Sequence, residues 1–328
     1  MADRRNFVRA CLATLAAGAC AVRAQPLGRP VRIGYLSVGS PASNGVFLQA
    51  LKDALRALGY VDGRDLVIDV RWAGDNAGLF PDLAESLVRS RPDAIVGTCI
   101  PSTRAAKNAT SSIPVVMSVD GDPVASGLVM SLARPGGNLT GTSTLFEELI
   151  PKWLELLATA VPRVRDIAIL TYPDDVADQY FWAKSMEAAQ RIGIKAIKFE
   201  ATSPAGIEKS FVEMRRSGAG AVVVMTEAYF VSQIPQLVSL ANQHRLPAIF
   251  GYREFVQAGG MMSYGLSYKE YYKRVARYID AVIKGARPAD LPVEQPTKIE
   301  LAVNLRTAQA LGVTIPQTLL LRADEVIQ

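Results

Sequence analysis

Short apolar runs alternate with amphipathic segments along this chain from residue 31 onward. The runs are too short to be helices, and they are bounded by polar and turn residues, which predicts strands buried on both faces. Between them, apolar side chains recur with the spacing of helices that cover a sheet. This order predicts an α/β protein in which helices cover both faces of a parallel sheet. The predicted strands of the first half are 31–37, 66–71, 94–97 and 115–118.

The same alternation begins again after the turn Gly136-Gly137-Asn138. The predicted strands of this second half are 167–171, 194–199, 221–225, 248–250 and 261–264. A helix is predicted over 268–284, and we expect its stripe of tyrosines and aliphatic residues to pack into the core. A chain of 328 residues is long enough for two lobes, and each half supplies the elements of one.

The first 24 residues have the pattern of an export signal rather than of a folded segment. Arg4 and Arg5 lie in a basic stretch, residues 10–22 are uncharged and apolar, and Ala24 completes a site with small residues at positions −3 and −1. We therefore predict cleavage before Gln25 and a periplasmic mature protein. Residues 3–9 resemble a twin-arginine signal, and ordinary Sec export is the alternative. A second alternative is lipid anchoring at Cys20.

Composition narrows the classes of partner and site. The formal charge is +5, and cleavage after Ala24 would remove four arginines and one aspartate, which leaves +2. The basic balance therefore belongs mainly to the leader, and no nucleic-acid partner is expected. The mature chain would keep one cysteine, Cys99, and one histidine, His244. We therefore expect no intrachain disulfide, no zinc site of the usual type and no cofactor.

Sequence signatures of common enzymes are missing. The stretch after the first predicted strand lacks G-x-G-x-x-G, and the chain contains no P-loop, G-x-S-x-G or S-x-x-K motif. The single histidine lies at a polar helix end, which is unsuitable for a catalytic triad. We therefore predict that the protein is not an enzyme.

Polar and aromatic loops follow the carboxyl ends of the predicted strands, which is where open α/β sheets bind ligands. Hydroxyls and N–H groups at a helix start, as at Ser102 and Thr103, suit a carboxylate, while acidic residues suit an amine and tyrosines suit a flat ring. Each of these residues has an alternative role as a helix cap, a turn or a packing residue. The candidate ligand-binding residues are Ser37, Ser40, Asn44, Cys99, Ser102, Thr103, Asp120, Tyr172, Glu227, Tyr229 and Tyr252.

Several longer stretches resemble a known family. They are GDPVASGLV at 121–129, LARPGGNLTG at 132–141, RWA at 71–73, LPVEQPTK at 291–298 and LGVTIP at 311–316. These stretches are similar to the family of ABC-transporter substrate-binding proteins that includes the tryptophan-binding proteins, and the likeness runs from about Arg29 to the end. The resemblance implies a type I periplasmic-binding fold, a Venus flytrap of two Rossmann-like lobes with parallel sheets joined by a hinge. Characterised relatives bind aromatic amino acids.

With this resemblance, we expect lobe 1 to comprise 29–143 and about 260–328, and lobe 2 to comprise 144–259. The hinge is expected near 141–144, near 252–259 and in the proline-rich tail. The expected function is capture of a small organic solute, an amino acid or a small or aromatic carboxylate, by a monomer that delivers it to an ABC permease and its ATPase. A periplasmic sensor that feeds a signalling protein and an enzyme on the same fold are the alternatives.

Overall fold

The computed structural model describes residues 29–74, 76–173, 178–295 and 298–328. The predicted leader with its alternative lipidation site therefore lies outside the described residues. No helix in the described part of the chain combines the length and apolarity that a membrane span requires.

The first lobe is built on a sheet of five parallel strands in the order β2-β1-β3-β4-β5. Its strands are β1 (Val31–Ser37), β2 (Leu66–Trp72), β3 (Ala94–Gly97), β4 (Val115–Asp120) and β5 (Leu139–Thr144). The helices between them are α1 (Pro41–Ala57), α2 (Phe80–Arg89) and α3 (Ile100–Ala109). Strands β3 and β5 are buried along their whole length, as expected for a sheet covered on both faces.

The second lobe contains a sheet of seven strands in the order β12-β11-β10-β9-β8-β6-β7, in which only the β10–β11 pair is antiparallel. Its strands are β6 (Asp166–Thr171), β7 (Lys195–Glu200), β8 (Ala221–Val224), β9 (Ala248–Tyr252), β10 (Met262–Leu266), β11 (Glu300–Asn304) and β12 (Glu325–Ile327). Its helices are α4 (Ile150–Ala160), α5 (Asp178–Arg191), α6 (Pro204–Arg216), α7 (Ala228–Ser232), α8 (Ile234–Gln243) and α9 (Arg253–Gln257). The remaining helices are α10 (Tyr268–Ile283), α11 (Leu305–Ala310) and α12 (Gln317–Leu320).

The two-lobed α/β fold with parallel sheets is confirmed, but the sheet pairing corrects the expected lobe boundary at 260. Strands β10, β11 and β12 pair in the second sheet and not in the first. Among the described residues from 260 onward, α10 and the tail near 288–295 lie on lobe 1, where α10 packs against α1 and the tail packs on and pairs with β5. The sequence did not show this because the partners of β11 and β12 are set by long-range pairing, which local periodicity does not encode.

The chain therefore passes between the sheets at positions that differ in part from the expected hinge. One passage follows Thr144, and in the tail Glu294 still pairs with β5 whereas Glu300 begins a strand of the second sheet. The third lies between Leu266 and Tyr268, because α9 continues lobe 2 and packs on β10 and β11. The expected crossing at 252–259 is thus wrong.

Glycine permits a close approach of strands at the first of these passages. Gly141 of β5 has a φ of +133°, and a Cβ built there would lie 2.2 Å from the carbonyl oxygen of Met117 on β4. No larger side chain fits this position without moving the neighbouring strand. Gly141, the last residue of the LARPGGNLTG stretch, is therefore required by the close pairing of β4 with β5.

Candidate functional site

A cavity of about 410 Å³ lies between the two lobes and is lined by residues of both. Its volume falls within the range of small-molecule sites. Most of the lining residues lie at or just after the carboxyl ends of strands, where the sequence predicts a ligand. The lining residues used below are Asn44, Phe47, Cys99, Ile100, Ser118, Asp120, Thr144, Phe146, Glu227, Tyr252, Leu266, Tyr268, Tyr271 and Tyr272.

Aromatic side chains form one continuous wall of the cavity. Phe47 on α1 stacks on Tyr272 with ring centroids 5.5 Å apart, and it meets Tyr268 edge-on at 5.8 Å. Phe146 meets Tyr252 edge-on at 5.1 Å, and Tyr252 lies 6.0 Å from Tyr268. These edge-on and stacked geometries are favourable for aromatic pairs. The wall joins lobe 1 to lobe 2, because Phe47 belongs to the first and Tyr252 to the second.

Helical spacing explains why α10 contributes three tyrosines to this wall. Tyr271 and Tyr272 lie three and four residues after Tyr268, so all three tyrosines lie on one face of the helix. The expectation that this stripe packs into the core is confirmed for Tyr268 and Tyr272, which are buried. The same side chains also line the cavity, and the stripe therefore serves both purposes.

Two carboxylates face the cavity, one from each lobe. Asp120 ends β4, and its Oδ1 accepts hydrogen bonds from the Thr144 hydroxyl at 3.0 Å and from the Phe146 N–H at 3.1 Å. Glu227 follows β8, is buried, and accepts a long hydrogen bond of 3.5 Å from the Tyr172 N–H. Backbone N–H groups and a hydroxyl donate these hydrogen bonds to the two carboxylates.

The surroundings of the cavity shift the pKa values of its tyrosines. Burial raises the pKa of Tyr252 well above its usual value, and the charges of Asp120 and Glu227 raise it further. Burial likewise raises the pKa of Tyr271 to about 12. Burial and the nearby carboxylates therefore both disfavour the tyrosinate form of Tyr252.

Five of the predicted site residues line the cavity, and six do not. Those that line it are Asn44, Cys99, Asp120, Glu227 and Tyr252. Those that do not are Ser37, Ser40, Ser102, Thr103, Tyr172 and Tyr229.

The surroundings of Ser102 and Thr103 correct the prediction that these residues anchor a ligand carboxylate. Both side chains are fully buried. The Ser102 hydroxyl accepts the Cys99 N–H at 3.0 Å and donates to the Cys99 carbonyl at 3.0 Å, so it caps α3. Thr103 packs under Gly97, where an added Cβ would come within 2.4 Å of its hydroxyl. These two residues shape the helix start and do not face the cavity.

The other four residues outside the cavity also have local roles. Ser37 is buried, donates to the Val38 carbonyl and accepts the Thr98 hydroxyl. Ser40 is the N-cap of α1, with Ser43 as its reciprocal partner. Tyr172 and Tyr229 pack against each other with ring centroids 5.2 Å apart. Their rings therefore pack against each other and do not line the cavity.

Sequence reasoning missed several residues that the fold brings to the cavity. Ser118 lies two residues before Asp120 on β4, and Phe47 lies on the apolar stripe of α1. The period-2 pattern of a strand could have suggested Ser118, since residues i and i+2 share a face. The sequence does not distinguish Phe47 from a core residue, because it lies in the same apolar stripe of α1 as residues that pack into the core.

Comparison with known proteins gives a consistent picture. Residues 39–327 match the model of a family described as ABC transporter substrate binding protein. A tyrosine-binding protein of Clostridioides difficile is 28% identical over 265 residues, which cover 81% of this chain and 75% of that protein.

Solved structures show the same likeness. A conserved domain protein from Vibrio cholerae has a TM-score of 0.72 and 27% identity, and the match covers 91% of this chain and 100% of that one. An ABC domain in complex with L-Trp from Streptococcus pneumoniae has a TM-score of 0.70 and 27% identity, again covering 91% of this chain and 100% of that one. The predicted family resemblance is therefore confirmed.

Proposed function

Because this chain belongs to the family of ABC transporter substrate-binding proteins, we propose that it binds a small solute with a flat ring and an amine between its lobes. Aromatic amino acids are the first candidates. The protein then delivers the solute to the permease and ATPase of an ABC importer. It acts by binding and release, and the solute leaves chemically unchanged.

The aromatic wall with a carboxylate from each lobe is the observation that carries this proposal. The faces and edges of Phe47, Phe146 and Tyr252 can pack against a flat ring. Asp120 and Glu227 are placed to accept hydrogen bonds from an ammonium group, and such charge-assisted bonds are each worth about 1.5 to 3 kcal/mol. The names of the C. difficile relative and of the S. pneumoniae complex support a ligand of this class.

Export to the periplasm completes the proposal. The family likeness begins after the predicted leader, at residue 39. The exported chain would begin at Gln25, and N-terminal sequencing of the protein recovered from the periplasm checks this. Recovery of the protein in the membrane fraction with a lipidated Cys20 would contradict cleavage before Gln25 and show a lipid-anchored protein.

Isothermal titration calorimetry of the purified protein with L-tyrosine, L-tryptophan and L-phenylalanine tests the binding step. We expect at least one of the three to bind with micromolar or tighter affinity. Asp120→Asn should weaken that binding at least tenfold, about 1.4 kcal/mol, since an amide keeps the bonds to Thr144 and Phe146 but loses the charge.

Asp290→Asn is the matched control, because this aspartate lies in an exposed turn away from the cavity. It should leave the affinity unchanged. The proposal fails if neither these amino acids nor the corresponding amines, tyramine and tryptamine, bind to the unmodified protein.

A further inference from the structure

Asn44 lines the cavity with a side-chain amide that no other described residue uses. It occupies the fourth position of α1 and is only 7% exposed. Its amide group makes no hydrogen bond with any residue that the structure describes. A buried amide normally has a hydrogen-bond partner, and for Asn44 the cavity is the place where a ligand can supply one.

Two hydroxyl side chains of lobe 1 that also line the cavity are used within the protein instead. The Thr98 hydroxyl donates to the Ser37 hydroxyl at 2.9 Å. The Thr144 hydroxyl donates to Asp120 Oδ1 at 3.0 Å. The hydrogen bonds of these two residues hold the loops in place, whereas the amide of Asn44 remains available to a ligand.

Gly39 determines which end of the Asn44 amide is available. The oxygen of the amide lies against Gly39, where an added Cβ would come within 2.4 Å of it. Gly39 has a φ of +71°, a conformation that glycine adopts readily. With its oxygen against this backbone, the amide offers its –NH2 to the cavity. A side-chain –NH2 donates two hydrogen bonds and accepts none, so it suits a ligand group that accepts.

A backbone N–H in the neighbouring loop is a second donor for the same ligand group. Ile100 lines the cavity at the first position of α3, and its N–H has no acceptor among the described residues. The N–H groups at a helix start attract anions. Strands β1 and β3 are paired, and the bond between Thr98 and Ser37 joins the loops that follow them. The donors of Asn44 and Ile100 therefore belong to adjacent loops of lobe 1.

The opposite lobe places an acid near the helix that carries Asn44. Helix α1 packs against α7, and Glu227 lies at the start of α7. An α-amino acid carries an ammonium group and a carboxylate on the same carbon atom, so it can meet an acid and an –NH2 at once. Hydrogen bonds to a charged group are about twice as strong as those between neutral groups.

We infer that the Asn44 side-chain amide donates to the carboxylate of the ligand, and that Asn44 thereby selects an amino acid over the same molecule with an amidated carboxylate. This inference rests on the proposed function, because it assumes that the ligand binds in this cavity. Asn44, and not Ser102 or Thr103, is then the side chain that anchors the ligand carboxylate.

Calorimetry at pH 7 with L-tyrosine, L-tryptophan and L-phenylalanine, each beside its amide, tests the inference. We expect the amino acid of at least one pair to bind the unmodified protein at least tenfold more tightly than its amide. Asn44→Asp replaces the –NH2 by a carboxylate oxygen of similar size, so the ratio of the two affinities should fall at least tenfold. Asn44→Leu removes the donors without adding a charge and should lower the ratio at least threefold.

Asn108→Asp is the matched control, because it makes the same change at an exposed position of α3 that does not line the cavity. It should leave the ratio unchanged. The ratio compares two ligands on one protein, so a variant that is merely less stable does not reproduce the expected result. Should Asn44→Asp fail to fold, Asn44→Leu decides.

Three results overturn the inference while the proposed function stands. The first is an amide that binds the unmodified protein as tightly as its amino acid, or binding of tyramine or tryptamine without binding of any amino acid. The second is a ratio that stays the same in the Asn44 variants. The third is tighter binding of the amino acid by Asn44→Asp, which would show that residue 44 accepts a hydrogen bond from the ammonium group. If no amino acid, amide or amine binds, the proposed function fails together with the inference.

Discussion

At the scale of single residues, hydroxyl side chains after strand ends have two uses, and only hydrogen-bond partners distinguish them. Ser102 and Ser40 are each placed by the sequence in a loop that faces the ligand. Both instead make reciprocal bonds with the start of their own helix. A cap and a ligand anchor need the same residue type at the same position, so local sequence did not separate them.

Substitutions at Ser102 and Thr103 should therefore act on stability and not on binding. Ser102→Ala removes a cap of α3, which we expect to cost about 1 kcal/mol in the free energy of unfolding. Thr103→Val should be neutral or stabilising, because the Thr103 hydroxyl is buried and has no hydrogen-bond partner in the described chain. Urea unfolding checks both values. A tenfold loss of ligand affinity at unchanged stability would instead support the prediction that Ser102 and Thr103 anchor a ligand carboxylate.

Tyr271 should make the fold sensitive to alkaline pH. Its hydroxyl donates to the Thr142 carbonyl at 3.3 Å, and burial raises its pKa from 10.0 to about 12. Since the folded state holds this proton more tightly than the unfolded state, the contribution is complete below pH 10 and is lost between pH 10 and 12. At about 1.4 kcal/mol per pH unit, the two units between pH 10 and 12 give a total loss of about 3 kcal/mol in the free energy of unfolding.

Urea unfolding of the unmodified protein and of Tyr271→Phe at pH 9 and at pH 11 measures this contribution. The variant should lose less stability between the two pH values. It should not become insensitive, because burial raises the pKa of Tyr252 and Tyr272 as well. Equal losses in both proteins would show that Tyr271 does not titrate in this range.

At the scale of elements, the alternation of strand and helix predicted most of the architecture. The strands predicted at 31–37 and 94–97 match the structure. The short strands β11 and β12 were missed, because each is stabilised by pairing with residues far away in sequence and not by a local pattern. The same limit applies to the site, since Phe47 and Tyr252 meet only when α1 approaches β9.

A close contact between two glycines sets the geometry of β9 and β10, which carry Tyr252 and Leu266 to the cavity. A Cβ built at Gly265 would lie 1.8 Å from the carbonyl oxygen of Gly251. Gly265→Ala therefore forces the two strands apart, and we expect a loss of more than about 2 kcal/mol in unfolding free energy. Thermal and urea unfolding measure it.

Gly45→Ala is the matched control. Gly45 lies within α1 and has no neighbouring heavy atom within 4 Å of an added Cβ. Alanine should stabilise the helix there by about 0.5 to 1 kcal/mol. Equal effects of the two substitutions would exclude the close contact as their cause.

At the scale of the whole molecule, the contacts between the lobes indicate a closed arrangement. Helix α1 of lobe 1 packs against α7 of lobe 2, and Phe47 approaches Tyr252 with ring centroids 6.4 Å apart. In a molecule that opens and closes, a ligand can favour the closed form only through contacts that the open form does not make. A ligand between the aromatic wall and the two carboxylates makes such contacts, since they come from both lobes.

Closure should therefore be visible in solution scattering. We expect the radius of gyration of the free protein to exceed the value calculated from the structure, and saturating ligand from the calorimetric series to lower it to that value. Phe47→Ala removes the ring that joins Tyr272 of lobe 1 to Tyr252 of lobe 2, so it should require a higher ligand concentration for the same contraction. Leu321→Ala, which shortens a mostly exposed side chain that does not line the cavity, should contract as the unmodified protein does. A scattering curve that stays identical from zero to saturating ligand would contradict closure around the solute, because the contacts between the lobes would then form without it.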